Sequence, residues 1–354
     1  MLKSPETLLS RREFLKVAGT AVAGLILSSC AGKNGNAKET QEAAIYGTKT
    51  LIIGQLEKNA PKVATLYPTI TEAVKTATPE LSKYEVKADD DLVKIQALFK
   101  DKVPAVNGDD YYLWYLYNTE ALFDPFNIPA GTQLIIPSSI SPQARETEVP
   151  PEKWQYGYGE IWTSLKGSTD NRRKNIFRGV ELINNKIIKP YAIFSMNETV
   201  GPITAENGYV MGFGYLDNRE MPITGGGICQ LPSTLFKAVL EAGMYVVERH
   251  EHMFYAERYL PGFDATISET LDLKVRNISQ VPFQIRTTVD KEKDRLGISI
   301  WAPNSLPYKF VEVETTINNE HWNDGKIHAE VVQRVGLHNG RVREKKFGSI
   351  YTPR

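Results

Sequence analysis

Residues 225–252 constrain this chain more than any other stretch. They read GGGICQLPSTLFKAVLEAGMYVVERHEH. Three glycines lead into Ile228, Cys229 and Gln230. Leu231, Leu235, Val239 and Leu240 then recur at helical spacing. Gly243 follows where a left-handed residue closes a helix at least cost. Met244 to Val247 reads as a buried strand that delivers His250 and His252. The pattern therefore sets a lone cysteine at a helix start and two histidines on the next element.

That placement has chemical consequences. A helix N-terminus offers unpaired N–H groups and about half a positive charge. Both favour thiolate over thiol. A histidine in reach would hold the pair as thiolate–imidazolium, and a third group would orient the ring. Asp264, after the turn at Pro261-Gly262, is the candidate for that role. Gln230, or the backbone near Gly227, is the candidate source of oxyanion donors. Two other readings of the same residues stay open. Cys229 can be a small buried hydrophobe. Cys229, His250 and His252 can also form a thiolate–imidazole zinc set, although no fourth ligand stands out. No other cofactor is indicated. Glu248 and Arg249 are candidates for an ion pair with each other.

The chain opens with an address. Ser10-Arg11-Arg12-Glu13-Phe14-Leu15-Lys16 is a twin-arginine pattern, and the apolar run at 17–27 is too short and too rich in small residues to span a membrane. Leu27-Ser28-Ser29-Cys30 resembles a bacterial lipobox, which implies cleavage behind Ser29 and lipidation of Cys30. The expectation is an exported lipoprotein, held by its acyl chains on the outer side of the bacterial cytoplasmic membrane or at the outer membrane. With two cysteines in all, acylation of Cys30 leaves Cys229 without a partner for a disulfide.

Lys and Arg number 42 against 42 for Asp and Glu, so charge does not point to nucleic acid. The length allows two or three domains. After the signal (1–30) we expect a tether at 31–47, an uncharacterised segment at 48–83, a small module at 84–137 and a linker at 138–167. The module reads strand, helix, helix, strand: Tyr84-Glu85-Val86-Lys87 opens it, Leu92, Ile95 and Leu98 mark one helix, and Leu113, Leu116 and Tyr117 the next. Asn118 follows, and Ile128-Pro129-Ala130-Gly131 leads to a final strand ending at Pro137. This order resembles a LysM domain, although Asp89-Asp90-Asp91 stands where that family usually has Gly-Asp-Thr. The resemblance implies binding of peptidoglycan or another glycan containing N-acetylglucosamine. Tyr111, Tyr112 and Trp114 would stack on its sugar rings or form the core.

From Ser168 the chain resembles the VanW family. The likeness rests on 172–185 (RRKNIFRGVELINN), Phe194-Ser195-Met196-Asn197, Thr199-Val200-Gly201-Pro202, Gly225 to Gln230 with Ser233-Thr234-Leu235, His250, His252, Gly262-Phe263-Asp264-Ala265-Thr266, and Asp272 to Asn277. Phe263 stands where that family more often has arginine. The resemblance implies a cell-envelope protein and brings no established reaction with it. Cysteine at a helix start with histidine beyond it is similar to the layout of papain-like peptidases.

After Asp264 the pattern turns to strands, at 271–275, 283–289, 296–301, 311–316, 327–335 and 341–347. The expected class is α+β: a LysM-like βααβ module, then a VanW domain (168–302) with helices first and an antiparallel sheet after, then a strand-rich extension (303–354). The expected function is a cysteine-dependent acyl-transfer or hydrolytic enzyme on peptidoglycan stem peptides. The alternatives are a wall-binding scaffold without catalysis and a Cys/His metal domain.

Overall fold

The computed structural model describes residues 82–105, 109–118, 121–137, 154–216, 219–306, 308–318 and 325–352. The signal, the lipobox, the tether and nearly all of 48–83 lie outside the described residues. Among the described residues, no helix is long and apolar enough to cross a membrane.

The small module contains β1 (Lys83–Glu85), α1 (Leu92–Phe99), α2 (Tyr112–Asn118) and β2 (Gln133–Ile135). The rest contains β3 (Tyr156–Ser164), α3 (Asp170–Ile183), β4 (Ile187–Ile188), β5 (Ile193–Ser195), α4 (Met196–Val200), β6 (Met211–Leu216) and β7 (Arg219–Thr224). Then come α5 (Gln230–Glu241), β8 (Tyr245–Glu248), β9 (Lys274–Arg276), β10 (Phe283–Asp290) and β11 (Arg295–Ala302). The last strands are β12 (Tyr308–Asn318), β13 (Ile327–Leu337) and β14 (Val342–Tyr351). The class is α+β with antiparallel sheets.

The helix that carries the glycine–cysteine motif lies at the centre. It packs on β3 and β11 of the four-stranded sheet β3-β11-β10-β4 and also meets β12. Every residue from Gln230 to Glu241 except Lys237 is buried, so α5 has almost no solvent face. Its last carbonyls need partners in such a setting. Gln333 of β13 supplies them, donating 2.8 Å to Leu240 O and 3.2 Å to Met244 O. Gly243 follows the helix at φ +68, as the sequence leads one to expect.

Two boundaries differ from the sequence reading. Strand β3 lies inside the expected linker 138–167 and forms an edge of the main sheet. Its pattern is masked by glycines: Gly159 sits at φ +58 against Ala238 O of α5, beside a register shift opposite Ile298 and Ile300. Nor is the extension a separate unit. The meander β12-β13-β14 packs on α5, with Phe347 edge-on to Phe236 at 5.3 Å.

The βααβ order of the small module is present, with β1 and β2 paired antiparallel. Asp91 caps α1 by accepting from Lys94 N at 2.8 Å. Asn118 pins the closing strand, accepting from Ile135 N at 2.7 Å and donating to Ile135 O at 2.9 Å. Trp114 corrects the glycan-stacking expectation. It is fully buried, its indole N–H donates to Gln96 Oε1, and its ring tilts against Phe99, so it is core and not platform. Tyr111 and Tyr112 are half-buried and pack against the same core.

The module docks on the main domain through arginines. Arg276 of β9 forks onto Asp109 at 2.7 and 2.8 Å and lies 4.8 Å from the Tyr115 ring. Their side chains are 3% and 14% exposed. Removing one member of such a pair strands the other's charge, at a cost of about 3 kcal/mol. Arg276→Ala is therefore expected to lower unfolding stability by about that amount in urea titrations. A loss below about 0.5 kcal/mol would show that the pair is not holding the module in place.

Candidate active site

The site is built at the start of α5. The turn before it needs glycine at 227. Gly227 sits at φ +97, and a Cβ there would fall 2.3 Å from Arg172 Cγ. Cys229 then occupies the N-cap position without a side-chain cap bond, and its thiol is half-buried. Ser233, one turn on, ties this end to the following chain. Its hydroxyl lies 2.7 Å from Cys229 O and 3.1 Å from Ala265 O, and accepts from Ala265 N at 3.0 Å.

That tie places Asp264 beside the cysteine's partner. His252 Nδ1 donates to Asp264 Oδ2 at 2.7 Å, and the His252 backbone N–H reaches the same oxygen at 2.6 Å. The ring's other nitrogen is left free of Asp264, and Cys229 and His252 lie close enough to act on each other's ionisation, while the thiol itself bonds to the Ile267 carbonyl at 3.8 Å. Asp264 Oδ1 accepts from Arg249 Nη2 at 2.9 Å and from the Tyr351 hydroxyl at 2.5 Å. Tyr259 stacks on the imidazole with ring centres 6.1 Å apart. Cys229, His252 and Asp264 thus stand in the order of nucleophile, base and orienting carboxylate.

Each partner shifts the others. Burial by itself would raise the Cys229 thiol and neutralise His252. The hydrogen bond and charge of His252, the Ile267 carbonyl and the Arg172 charge together bring the thiol below its ordinary value. For His252, burial is outweighed by Asp264 and Cys229, and the imidazole is pushed up to about 9. Burial would likewise raise Asp264, but His252, Arg249 and Tyr351 hold it below the usual carboxylate range. Both shifts favour the thiolate–imidazolium form of the pair.

Other expected residues lie elsewhere. Strand β8 ends at Glu248, so the two histidines follow in an irregular segment and do not share a strand face. The His250 ring bonds to Glu248 Oε1 at 3.0 Å and does not join Cys229. The Cys229–His250–His252 zinc set therefore does not converge in this structure. Glu248 and Arg249 do not pair with each other: Glu248 holds Lys274 at 2.8 Å, while Arg249 holds Asp264. The Gln230 side chain is buried under α5, donating to Thr163 Oγ1 and Ser164 O, and so is no oxyanion donor. The backbone near Gly227 keeps that option, because among the described residues neither the Gly227 nor the Cys229 N–H donates to a backbone carbonyl.

Sequence reasoning missed Tyr351, the anchoring role of Arg249, and Arg172. Tyr351 lies 87 residues beyond Asp264, on a strand outside any recognised pattern, and no local spacing points to it. Arg172 carried a weak signal, as the first arginine of an amphipathic helix inside the family likeness.

The fold and site define an α+β domain with a Cys–His–Asp cluster at the start of a buried helix. Residues 171–301 match the family described as VanW like protein, and the chain carries a VanW-family domain. It is 35% identical over 129 residues to the uncharacterised protein YoaR of Bacillus subtilis (strain 168), covering 36% of this chain and 43% of that one. It is 31% identical over 130 residues to the vancomycin B-type resistance protein VanW of Enterococcus faecalis (strain ATCC 700802 / V583), covering 35% of this chain and 47% of the relative. The chain thus spans less than half the length of these curated relatives. No solved structure matches it.

Two outcomes follow for Asp264. Asp264→Ala strands the buried Arg249 charge and is expected to cost about 3 kcal/mol in denaturant titrations. Tyr351→Phe removes one of the carboxylate's donors, which leaves Asp264 ionised but a more basic partner for His252 Nδ1–H and so raises the imidazole. In an NMR titration His252 should turn over near 9 in the parent protein and at higher pH in the variant. An unchanged midpoint would remove Tyr351 from the site.

Proposed function

We propose that the VanW-like domain is a cysteine-dependent acyl-transfer or hydrolytic enzyme acting on peptidoglycan stem peptides. The observation that carries this reading is Cys229 placed beside His252, whose Nδ1 is held by Asp264, with thiol and imidazole shifted toward the ion pair. The resistance-protein relative supports an envelope role. The sequence supports export and lipidation at Cys30, and the small module's βααβ order supports LysM-like glycan binding.

The mechanism uses groups already in place. The Cys229 thiolate attacks a peptide carbonyl, and the carbonyl electron pair moves to oxygen. The Cys229 and Gly227 N–H groups stabilise that oxyanion. Collapse breaks the C–N bond as the His252 imidazolium protonates the leaving amine. The thioester then passes its acyl group to water or to another amine, which His252, now neutral, deprotonates. Asp264 holds the ring by Nδ1 throughout.

Alkylation by iodoacetamide tests this in the folded chain without its first thirty residues. Cys229 should react at pH 7 with a thiolate fraction far above the few per cent of a free cysteine. His252→Ala should slow labelling by about tenfold or more, and His250→Ala should leave it unchanged. With substrate, kcat/KM should fall above about 9 as the imidazolium is lost. A thiol inert until unfolding would make Cys229 a core residue and the protein a wall-binding scaffold.

A further inference from the structure

Arginine usage marks one residue beside the nucleophile. Arg173, Arg249, Arg276, Arg295 and Arg334 each pair with a carboxylate. Arg172 does not. Its Nη1 donates 2.8 Å to Ser168 Oγ, and the ionisable groups that act on it most are Tyr259, Arg258, Cys229 and Arg173, none of them a carboxylate. Its stem lies over Gly227, two residues before the thiol. Arg258 likewise makes no carboxylate hydrogen bond among the described residues, although Asp294 lies within reach of its charge; its Nη1 is held by the Ser164 and Lys166 carbonyls at 3.1 and 2.9 Å. Arg258, though not Arg172 or Cys229, lines a cavity of about 560 Å³ together with Ser164, Lys166 and Tyr255, with the exposed Glu257 at its edge.

A cation withdrawn from water without a counter-charge is costly unless a ligand supplies one. His252 already neutralises the thiolate. An arginine fork matches a carboxylate geometrically. We infer that Arg172, supported by Arg258, is a carboxylate subsite, so that the attacked acyl group is the penultimate residue of a peptide with a free C-terminus.

This inference rests on the nucleophile reading above and adds the substrate class. In the step it implies, Cys229 Sγ bonds to the penultimate carbonyl carbon, the C–N bond breaks, and the terminal amino acid leaves with its carboxylate on Arg172 and its amine protonated by His252. No oxidant or further reactant is needed.

N-bromoacetylglycine and its neutral amide test the inference. Both carry the same reactive carbon, and only the first bears a carboxylate one residue beyond it. The readout is the ratio of their Cys229 alkylation rates, which cancels changes in thiolate content. Relative to N-acetylcysteine, where charge repulsion disfavours the acid, the protein should prefer the acid by about tenfold or more. Arg172→Gln should abolish the preference, Arg172→Lys should restore part of it, and Arg258→Gln should reduce it. Salt should weaken it. Rapid labelling by the amide with a ratio equal to that of N-acetylcysteine would overturn the subsite and leave the nucleophile standing. Labelling by neither reagent in the folded protein would overturn both. A preference erased by inorganic phosphate but not by acetate would overturn the carboxylate assignment in favour of a phosphate site.

Discussion

The carboxylate of Asp264 is the group on which the site depends. It is 3% exposed and accepts four hydrogen bonds, from Arg249, from the backbone and ring of His252, and from Tyr351. A carboxylate so far from water is tolerable only when its lone pairs are filled. Filling them draws together three parts of the chain: the segment after β8, the turn at Gly262, and the end of β14. Tyr351 also accepts from Gly262 N at 2.7 Å, and Arg249 donates to Gly262 O, Gly348 O and Ser349 Oγ. The network that satisfies the charge is the same network that aims the imidazole at the sulfur.

Helix α5 is the other half of the arrangement. Its polar residues are spent on neighbours: Gln230 and Thr234 on Thr163 of β3, Ser233 on Ala265. These bonds fix the helix start and leave the cysteine as the one motif residue turned toward the cluster. Because α5 is covered by one sheet on one side and by the β12–β14 meander on the other, the domain is incomplete at 301, where the family match ends. Tyr351 and Ser349, which complete the Asp264 network, come from beyond that point.

Much of this was legible in the sequence. The helix 230–241, its end at Gly243, most of the later strands, the βααβ order and the cysteine at a helix start all follow from period, turn chemistry and capping, which are local rules. What failed was non-local. Trp114 among tyrosines reads as a sugar platform until the fold encloses it. Strand β3 hides because Gly157 and Gly159 fit packing partners, Trp301 and Ala238, that are distant in sequence. His250 and His252 look equivalent two residues apart. Glu248 takes one and Asp264 the other.

The sequence by itself determined the elements and the chemical inventory: one thiol after three glycines, two histidines and an aspartate downstream, within a chain of balanced charge. Hydrophobic period and backbone preference suffice for that, since both act over a few residues. Only the tertiary structure decided which histidine lies by the thiol, which arginine anchors Asp264, that Arg172 has no carboxylate partner among the described residues, and that a tyrosine near residue 350 belongs to the site. Those outcomes depend on which buried charges find partners across the fold, and pairing in a low-dielectric interior is settled by three-dimensional distance, not by separation along the chain.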